Sequence, residues 1–346
     1  MTIVPDRALA DPDEAQARAR KLVADGRTLE AIEALTVVNR ALHDPDLERR
    51  LVELRYEAFA DLERRGGFAQ WPVPADLSDT GPARIPEITA RELEPEVVRR
   101  NIMGHGSVLI RNLLDEAQIR GFVTGIDHAF AARSEGPDAA ARQTSSWFGT
   151  LRLPAKEAQT LGRHWVGASG GMLLLDSPKM LFNLLETYES VGLRAVVGGY
   201  LGERPVLGGN KCTLRLVPLH ASTDWHQDGA FLGPGIRALN VWIALSECGV
   251  DSPGMDLLPR RLDHIVETGT GGSIFDWAVG PEVVDELAAE APVMRPVFHP
   301  GDALLFDDMF LHRTAIDPTM TRPRYAIESW FFAPSHYPDG QVPIVW

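Results

Sequence analysis

The chain has 346 residues, of which 45% are hydrophobic and 24% charged, a composition typical of one large globular domain with an appendage. A formal net charge of −14 argues against sequence-independent nucleic-acid binding, which needs clustered Lys and Arg, and it disfavours anionic membrane surfaces. Only two cysteines are present, Cys212 and Cys248, so a disulfide framework is excluded and reduced core thiols are predicted.

The first twenty residues lack a basic segment followed by an apolar one, so no signal peptide is predicted. No stretch approaches the roughly 18 consecutive apolar residues that a membrane-spanning helix requires. We therefore expect a cytoplasmic protein with neither a nucleic-acid nor a membrane partner.

Residues 13–65 show helical periodicity throughout, interrupted at Asp25-Gly26, and Thr28 is predicted to cap the next helix. The block resembles one helix-turn-helix unit of the tetratricopeptide kind. A single unit cannot build a solenoid, because each repeat needs neighbours to cover its apolar face. Residues 1–66 are therefore predicted to be a helical appendage that packs on the main domain or on a second copy in a homodimer. A protein-docking module is the alternative.

A proline-rich run from Trp71 to Pro86 predicts an extended linker, assigned to residues 67–84, ahead of a main domain at residues 85–346. The main domain is predicted to open with a helix near Pro95 and a strand at residues 108–110.

Residues 133–175 contain few periodic apolar positions and many Gly, Ser and Thr. A loop of this length in a compact domain is usually functional or disordered, so we expect it to form part of a wall or lid above the site. Asp176-Ser177-Pro178 then predicts a capped helix start.

From about residue 205 the pattern changes to short strands separated by turns. Polar and apolar residues alternate strictly over residues 211–216, so one face of this strand is polar and faces either a pocket or solvent. Short antiparallel strands after helices predict an α+β fold. Its core is expected to be a double-stranded β-helix (a cupin-like jelly roll), with flanking helices and the N-terminal helical appendage. Further strands are predicted at 239–245, 255–258, 293–298, 302–306 and 324–332.

An inserted excursion is predicted within the jelly roll, comprising the glycine-rich residues 269–272 and a helix near 281–290. The glycine-rich stretch does not lie between a strand and a helix, so a nucleotide-binding loop is rejected.

Two of the ten histidines stand out. His226 and Asp228 form an H-x-D pair next to a predicted strand, so both side chains can turn toward one bound ion. His312 follows a second apolar run, and Arg324 opens another strand. Imidazole and carboxylate suit iron, zinc or manganese better than calcium or magnesium, and two histidines with one carboxylate are the ligands of non-haem Fe(II) oxygenases. Spacing alone does not exclude three competing carboxylates, Asp224, Asp307 and Asp308.

The segments around these positions resemble the phytanoyl-CoA dioxygenase-like family of Fe(II)/2-oxoglutarate-dependent oxygenases. The resemblance covers roughly residues 205–333, is weaker back to about residue 85, and rests on WHQDGAFLG, LNVWIAL, SPGMDLLPRR, GDALLFDDMFLHRT and PRYAIESW. It implies that His226, Asp228 and His312 hold Fe(II), and that 2-oxoglutarate and O2 are cosubstrates.

The resemblance also implies a cosubstrate pocket. Arg324 is expected to receive the distal carboxylate of 2-oxoglutarate, because a guanidinium can donate two parallel hydrogen bonds to it. Arg322 is the rival and is predicted to lie in a turn. Thr314 and Trp242 fall where the family places pocket residues, although Trp242 is equally well explained as a core aromatic.

The implied function is hydroxylation of an unactivated C–H bond in a small molecule, with 2-oxoglutarate decarboxylated to succinate. Aspartate at position 228 favours hydroxylation over halogenation, since related halogenases carry a small residue there. Residues 259–262, Pro-Arg-Arg-Leu, depart from the P-G-S-H of the family, which leaves the substrate open. Two alternatives remain: a zinc hydrolase using the same three ligands, and a non-catalytic jelly-roll binding protein that docks partners through its N-terminal helices.

Overall fold

The computed structural model describes residues 11–62, 67–78, 81–134, 146–221, 223–273 and 275–346. The chain begins with three helices, α1 (Pro12–Ala24), α2 (Thr28–Leu42) and α3 (Pro45–Glu57), and a 3-10 turn at Ala58–Asp61. The side chains of Asp11 and Asp44 accept hydrogen bonds from first-turn N–H groups of α1 and α3. These caps satisfy donors that have no partner within the helix.

The prediction that Thr28 caps α2 is wrong. Thr28 is the first residue inside the helix, and Arg27 is the N-cap without a side-chain cap bond. The Thr28 hydroxyl donates instead to Asp61 Oδ2 at 2.8 Å. The hydroxyl is therefore used to tie α2 to the turn that follows α3.

The apolar stripes of the three helices are buried against the main domain. Leu35, Leu47 and Leu54 share one apolar cluster with Phe182 and Val345 from the main domain. The buried side chain of Arg55 adds a polar contact, because its Nη1 donates to the main-chain oxygen of Val345 at 2.8 Å.

The main domain contains both helices and strands. Its helices are α4 (Pro95–His105), α5 (Glu116–Ser134), α6 (Ala155–Thr160), α7 (Arg163–Ala168), α8 (Pro178–Ser190), α9 (Leu193–Leu201), α10 (Gly229–Leu232) and α11 (Pro281–Ala288). Its strands are β1 (Glu87–Thr89), β2 (Ser107–Arg111), β3 (Gly171–Leu173), β4 (Val206–Gly208), β5 (Thr213–Val217), β6 (Ala238–Ala244), β7 (Gly254–Leu257), β8 (Ala303–Phe306), β9 (His312–Ala315), β10 (Arg324–Phe332) and β11 (Pro343–Val345).

Two sheets form the core. Among the described residues, nine strands make the larger sheet, in the order β1-β2-β8-β6-β10-β4-β11, with β5 pairing both β10 and β3. Strands β7 and β9 form the smaller, antiparallel sheet, which single bridges extend toward His226 and Met294. The first two strands are parallel, and the other pairs are antiparallel.

The sheets enclose an interior rich in aromatic side chains. Trp242, Phe306 and Trp330 of the larger sheet share an apolar cluster with Met255 and Leu257 of the smaller one. The opposite face of the larger sheet packs against buried residues of α4, α5, α8 and α9. The fold is therefore α+β, with a double-stranded β-helix core flanked by helices, as predicted.

The polar face of the strand at residues 211–216 is the interior one. Thr213 lies opposite Glu328 and Arg215 lies opposite Ala326, a member of the interior cluster. Because alternate residues of a strand point to opposite faces, Leu214 instead packs in the outer cluster beneath the helices.

Two other predicted segments differ from the structure. Residues 293–298 form only isolated bridges, at Met294 and Phe298, because Pro292 and Pro296 cannot donate to a strand ladder. The segment 133–175 is not one loop, since it contains α6, α7 and β3, while residues 135–145 lie outside the described residues.

The start of α8 also differs in detail from its prediction. Ser177 is the N-cap but makes no side-chain cap bond, and Pro178 is the first helical residue. The buried carboxylate of Asp176 pairs with Arg163 at 2.7 Å instead of capping the helix.

Among the residues that the structure covers, no helix is both long enough and apolar enough to cross a lipid bilayer.

Glu48 of α3 gives a testable pH dependence. Its carboxyl group is buried, and burial raises the pKa of Glu48 to about 7, although the charge of Lys179 and a contact with the Asn39 side chain oppose the rise. Because the folded state binds this proton more tightly than the unfolded state, Glu48 lowers the free energy of unfolding as pH rises from about 4.5 to about 7. The free energy of unfolding of Glu48→Gln, relative to that of the wild type, should therefore be about 3 kcal/mol higher at pH 8 than at pH 4.

Urea denaturation at both pH values measures the change. Glu57→Gln, an exposed substitution at the end of the same helix, is the matched control. A wild type and a Glu48→Gln variant with parallel pH profiles would contradict the buried position of this carboxyl group.

Candidate metal centre

Backbone pairing brings His226 and His312 side by side. The N–H of His226 donates to the carbonyl of His312 at 3.0 Å, and the reverse bond is 3.1 Å. Asp228, two residues beyond His226, lies at the start of α10. One potential ligand atom from each of these three side chains lies within 4.8 Å of the other two. The sequence-predicted H-x-D pair and distal histidine are therefore brought together.

Both imidazole rings are oriented by main-chain oxygens. His226 Nδ1 lies 2.7 Å from the carbonyl of Asp224, and His312 Nδ1 lies 3.0 Å from the carbonyl of Phe310. A carbonyl only accepts hydrogen bonds, so each Nδ1 carries a proton, and in the neutral form of each ring Nε2 keeps the lone pair that a metal needs. Burial, reinforced by His226, lowers the pKa of His312 to about 4, so this ring is neutral at neutral pH.

Asp228 supplies a buried negative charge. Its Oδ1 lies 3.5 Å from Lys211 Nζ, whereas its Oδ2 is buried without a hydrogen-bond partner, 3.7 Å from His312 Nε2. Burial acts to raise the pKa of Asp228, but Lys211 and the two histidines outweigh it, and the pKa lies below its ordinary value. A buried carboxylate oxygen without a partner is costly. A cation bound between Asp228 and the imidazoles would satisfy it.

The residues between and after the ligands hold this geometry. The Gln227 side chain is bound to the main chain: Nε2 donates to the carbonyls of His264 and Met309, and Oε1 accepts from Val266 N–H at 2.8 Å. Gly229 leaves little room for a side chain, because a Cβ there would lie 3.1 Å from the main-chain oxygen of Asp308. Sequence reasoning missed the role of Gln227, for which the motif carries no signal.

The competing carboxylates lie outside the group. Asp307 pairs with Arg261 at 2.6 Å in a buried ion pair. Asp308 is buried beside it, and burial together with Asp307 raises the pKa of Asp308 to about 7. Asp224 contributes its main-chain oxygen to His226. Among the described residues, only His226, Asp228 and His312 form a cluster suited to a metal ion.

Arg324 lies on the interior face of β10. Its side chain is fully buried, Nη1 donates to the carbonyl of Gly254 at 2.9 Å, and Nε has no partner. The guanidinium carbon lies 5.4 Å from the centre of the Trp242 ring. Burial lowers the pKa of Arg324 to about 10, so the group remains charged at neutral pH.

Thr314 and Arg322 occupy different environments. Thr314 pairs with Met255, an interior residue, and lies two positions after His312 on β9, so both β9 side chains share the interior face. Arg322 is exposed in the turn before β10 and pairs with Asp251 at 2.9 Å. The interior position thus belongs to Arg324.

The arginines that replace the expected P-G-S-H pattern serve structural contacts. Arg261 is buried and bound to Asp307, as described above. Arg260 forms an ion pair with Glu290 nearer the surface. Both guanidinium groups therefore have carboxylate partners within the chain.

A double-stranded β-helix that presents two histidines and one aspartate at its interior is the architecture of a mononuclear metal protein. The sequence matches the phytanoyl-CoA dioxygenase (PhyH) family over residues 103–316, more than half of the chain. The chain therefore belongs to this family. This places the protein in the general class of 2-oxoglutarate-dependent non-haem iron oxygenases.

The chain is also similar to several solved structures. EctD from S. alaskensis with 2-oxoglutarate and 5-hydroxyectoine is 17% identical, with 69% of this chain and 76% of that chain covered and a TM-score of 0.49. The carbocyclase SnoK from nogalamycin biosynthesis is 15% identical, with coverages of 71% and 86% and a TM-score of 0.47. EvdO2 from Micromonospora carbonacea var. aurantiaca, complexed with 2-oxoglutarate, is 17% identical, with coverages of 68% and 90% and a TM-score of 0.42. No curated protein matches the sequence.

The metal centre yields a direct test. Asp228→Ala removes the single carboxylate of the cluster, so the affinity for Fe(II) or Mn(II) should fall by more than roughly 100-fold, since even second-shell changes cost 10–100-fold. Anaerobic calorimetric titration with either ion measures this loss.

Asp224→Ala is the matched control, because the main-chain oxygen of residue 224 survives the substitution and continues to orient His226. Its metal affinity should stay close to that of the wild type. A folded Asp228→Ala protein that retains wild-type affinity would show that the ion binds elsewhere.

Proposed function

We propose that the protein is an Fe(II)/2-oxoglutarate-dependent dioxygenase that hydroxylates an unactivated C–H bond of a small molecule. In this reaction one oxygen atom of O2 enters the product hydroxyl and the other enters succinate, while 2-oxoglutarate loses CO2. The observation that carries the proposal is that the interior contains two buried charged side chains of opposite sign, each with one polar atom that has no hydrogen-bond partner. These are Asp228, with a free carboxylate oxygen, and Arg324, with a free Nε.

The three ligand residues fit iron by their chemistry. His226 and His312 present Nε2 lone pairs, and Asp228 presents an unpartnered oxygen. Bound there, iron would supply the redox chemistry that couples decarboxylation of 2-oxoglutarate to oxidation of the substrate. With only three protein ligands, an ion bound there would keep positions open for the cosubstrate. The role of the protein is to hold and orient the reacting groups.

Arg324 is the proposed partner of the distal carboxylate of 2-oxoglutarate. A buried guanidinium without a carboxylate partner is costly, and no ion pair to Arg324 occurs among the described residues. An incoming carboxylate would satisfy both the charge and the free donors. The carbonyl of Gly254 and the ring of Trp242 hold the guanidinium in position.

Thr314 and Trp242 complete the proposed cosubstrate pocket. Thr314 lies between the His312 end of β9 and the Gly254 end of the smaller sheet, where the carbonyl of Gly254 binds Arg324. Its hydroxyl is therefore suited to donate to the bound cosubstrate. Trp242 acts through Arg324, since its ring packs under the guanidinium and restricts where that group can point.

Hydroxylation is the outcome that Asp228 favours. A carboxylate at this position occupies the coordination site that a halide would otherwise need. The surrounding aromatic side chains, including Phe306 and Phe310, lie against His312 and exclude water from its buried side. A dry, enclosed site protects the reacting groups from side reactions.

The helices of residues 1–66 are proposed to act as a packing element. Their apolar stripe is covered by Phe182, Val206 and Val345 of the same chain, so this face is not free to dock a partner protein. This supports the division into an appendage, a linker at residues 67–84 and an oxygenase domain at residues 85–346.

Arg324→Ala tests the cosubstrate assignment. Each hydrogen bond to a charged group contributes about 1.5–3 kcal/mol, so losing one should weaken 2-oxoglutarate binding roughly 10–100-fold. Fe(II) affinity should barely change, because the proposed ligands do not include this arginine. The measurement is a 2-oxoglutarate titration of the visible charge-transfer band of the anaerobic Fe(II) protein. A zinc hydrolase or a non-catalytic binding protein would show no such band.

Arg322→Ala is the matched control, since it removes an exposed guanidinium two residues away. Arg324→Lys should recover only part of the lost affinity, because a lysine cannot reproduce the two-pronged hydrogen bond. Unchanged cosubstrate affinity in Arg324→Ala, or a collapse in Arg322→Ala, would overturn the assignment.

A further inference from the structure

Three exposed aromatic side chains cluster beside the metal centre. Phe231, Phe275 and Trp277 are 43%, 50% and 38% exposed. The Phe275 and Trp277 rings are stacked, 5.3 Å apart and 12° from parallel, and the Phe231 ring lies 5.6 Å from Trp277. We call these three residues the aromatic platform.

The platform is continuous with the proposed iron ligands. The His226 ring lies 5.9 Å from the Phe231 ring and 6.3 Å from the Trp277 ring. Lys211, whose ammonium lies 3.5 Å from Asp228, also lies 5.1 Å from the centre of the Phe231 ring. A molecule resting on the platform would therefore lie next to the metal centre and near a positive charge.

The platform is built from two separate segments that the fold holds together. Phe231 belongs to α10, the short helix that begins directly after Asp228. Phe275 and Trp277 belong to the excursion between β7 and β8, which is anchored to the ligand segment by a hydrogen bond from Val279 N–H to the carbonyl of Trp225 at 2.8 Å. A second bond, from Gly269 N–H to the carbonyl of Ala278, closes the excursion on itself. The rings are thus placed before any ligand arrives.

Exposed aromatic rings that adjoin one another mark a binding surface more often than isolated ones do. Ring faces favour offset or edge-to-face contact with a second flat π-system, beyond the effect of burying apolar area. An aliphatic chain or a puckered ring would gain only the free energy of burying apolar surface. The shape and chemistry of the platform therefore favour a flat ring.

We propose that the aromatic platform binds the organic substrate of the oxygenase, and that this substrate carries a flat aromatic ring. The inference rests on the proposed function for the identity of the site, but the ring preference is a property of the platform itself. The excursion thus contributes to substrate selection, and Lys211 favours a substrate with an anionic substituent.

A pair of probes with equal charge isolates the ring preference. 2-Naphthoate is flat, whereas decalin-2-carboxylate has the same carbon skeleton and charge but a saturated, puckered ring system. Calorimetric titration of the full-length protein, first without metal and then with Fe(II) and 2-oxoglutarate under nitrogen, should show naphthoate binding roughly 10-fold more tightly.

Substitutions then locate the binding. Trp277→Ala should weaken naphthoate binding roughly 10-fold and leave the decalin probe less affected, and Trp277→Phe should restore most of the loss. Trp165→Ala is the matched control, because Trp165 is 77% exposed and lies in α7. Circular dichroism and sedimentation of each variant check folding and oligomeric state.

Several outcomes would overturn the proposal. These are equal affinity for the two probes, naphthoate binding unaffected by Trp277→Ala, or a change of oligomeric state on that substitution, which would assign the rings to an interface between copies. The oxygenase proposal is tested separately: it would be overturned if the anaerobic Fe(II) protein with 2-oxoglutarate showed no charge-transfer band. Ring-selective binding without that band would retain the platform and reject the oxygenase.

Discussion

The buried carboxylate of Asp228 is the constraint on which the site depends. One of its oxygens has no hydrogen-bond partner, yet the positive charge of Lys211 and the neighbouring histidines keep its pKa below the ordinary value. A buried, ionised carboxylate with an unpartnered oxygen contributes little to folding stability, but it is well suited to bind a metal ion. The contacts around Asp228 hold this carboxylate in place.

These contacts come from elements that are distant in sequence. The bridge between His226 and His312 joins the H-x-D segment to the smaller sheet, and Gln227 joins it to the excursion. Because both N–H groups and the oxygen of the Gln227 amide are bonded to the main chain, this side chain is held away from the two flanking ligands. The same excursion carries Phe275 and Trp277, so one set of bonds positions both the metal ligands and the aromatic platform.

The chemistry of the site was largely predictable from sequence because it depends on local patterns and a motif. Alternation over residues 324–332 predicted the β10 boundaries, and the interior position of Arg324 follows from that register. The polar face of residues 211–216 was visible, but its inward direction depends on pairing with β10. The strand predicted at residues 293–298 does not form, although the segment is apolar, because Pro292 and Pro296 have no N–H group to donate to a neighbouring strand.

Other features depend on long-range contacts that no local pattern contains. Nothing near Arg261 indicates that its partner is Asp307, and nothing near Thr28 indicates that its hydroxyl bonds to Asp61. Ion pairs and hydrogen bonds between residues so far apart in sequence form only when the sheets and helices pack. For the same reason the sequence could not exclude Asp308 as a ligand, whereas the structure leaves its carboxyl group outside the cluster.

The most direct measurement is an anaerobic crystal structure of the full chain grown with Mn(II) and 2-oxoglutarate. We expect Mn(II) to be bound by Nε2 of His226, Nε2 of His312 and a carboxylate oxygen of Asp228. We also expect 2-oxoglutarate to chelate the ion and its distal carboxylate to be bound by Arg324. A metal ion held by other residues, or a cosubstrate whose distal carboxylate lies away from Arg324, would contradict this assignment.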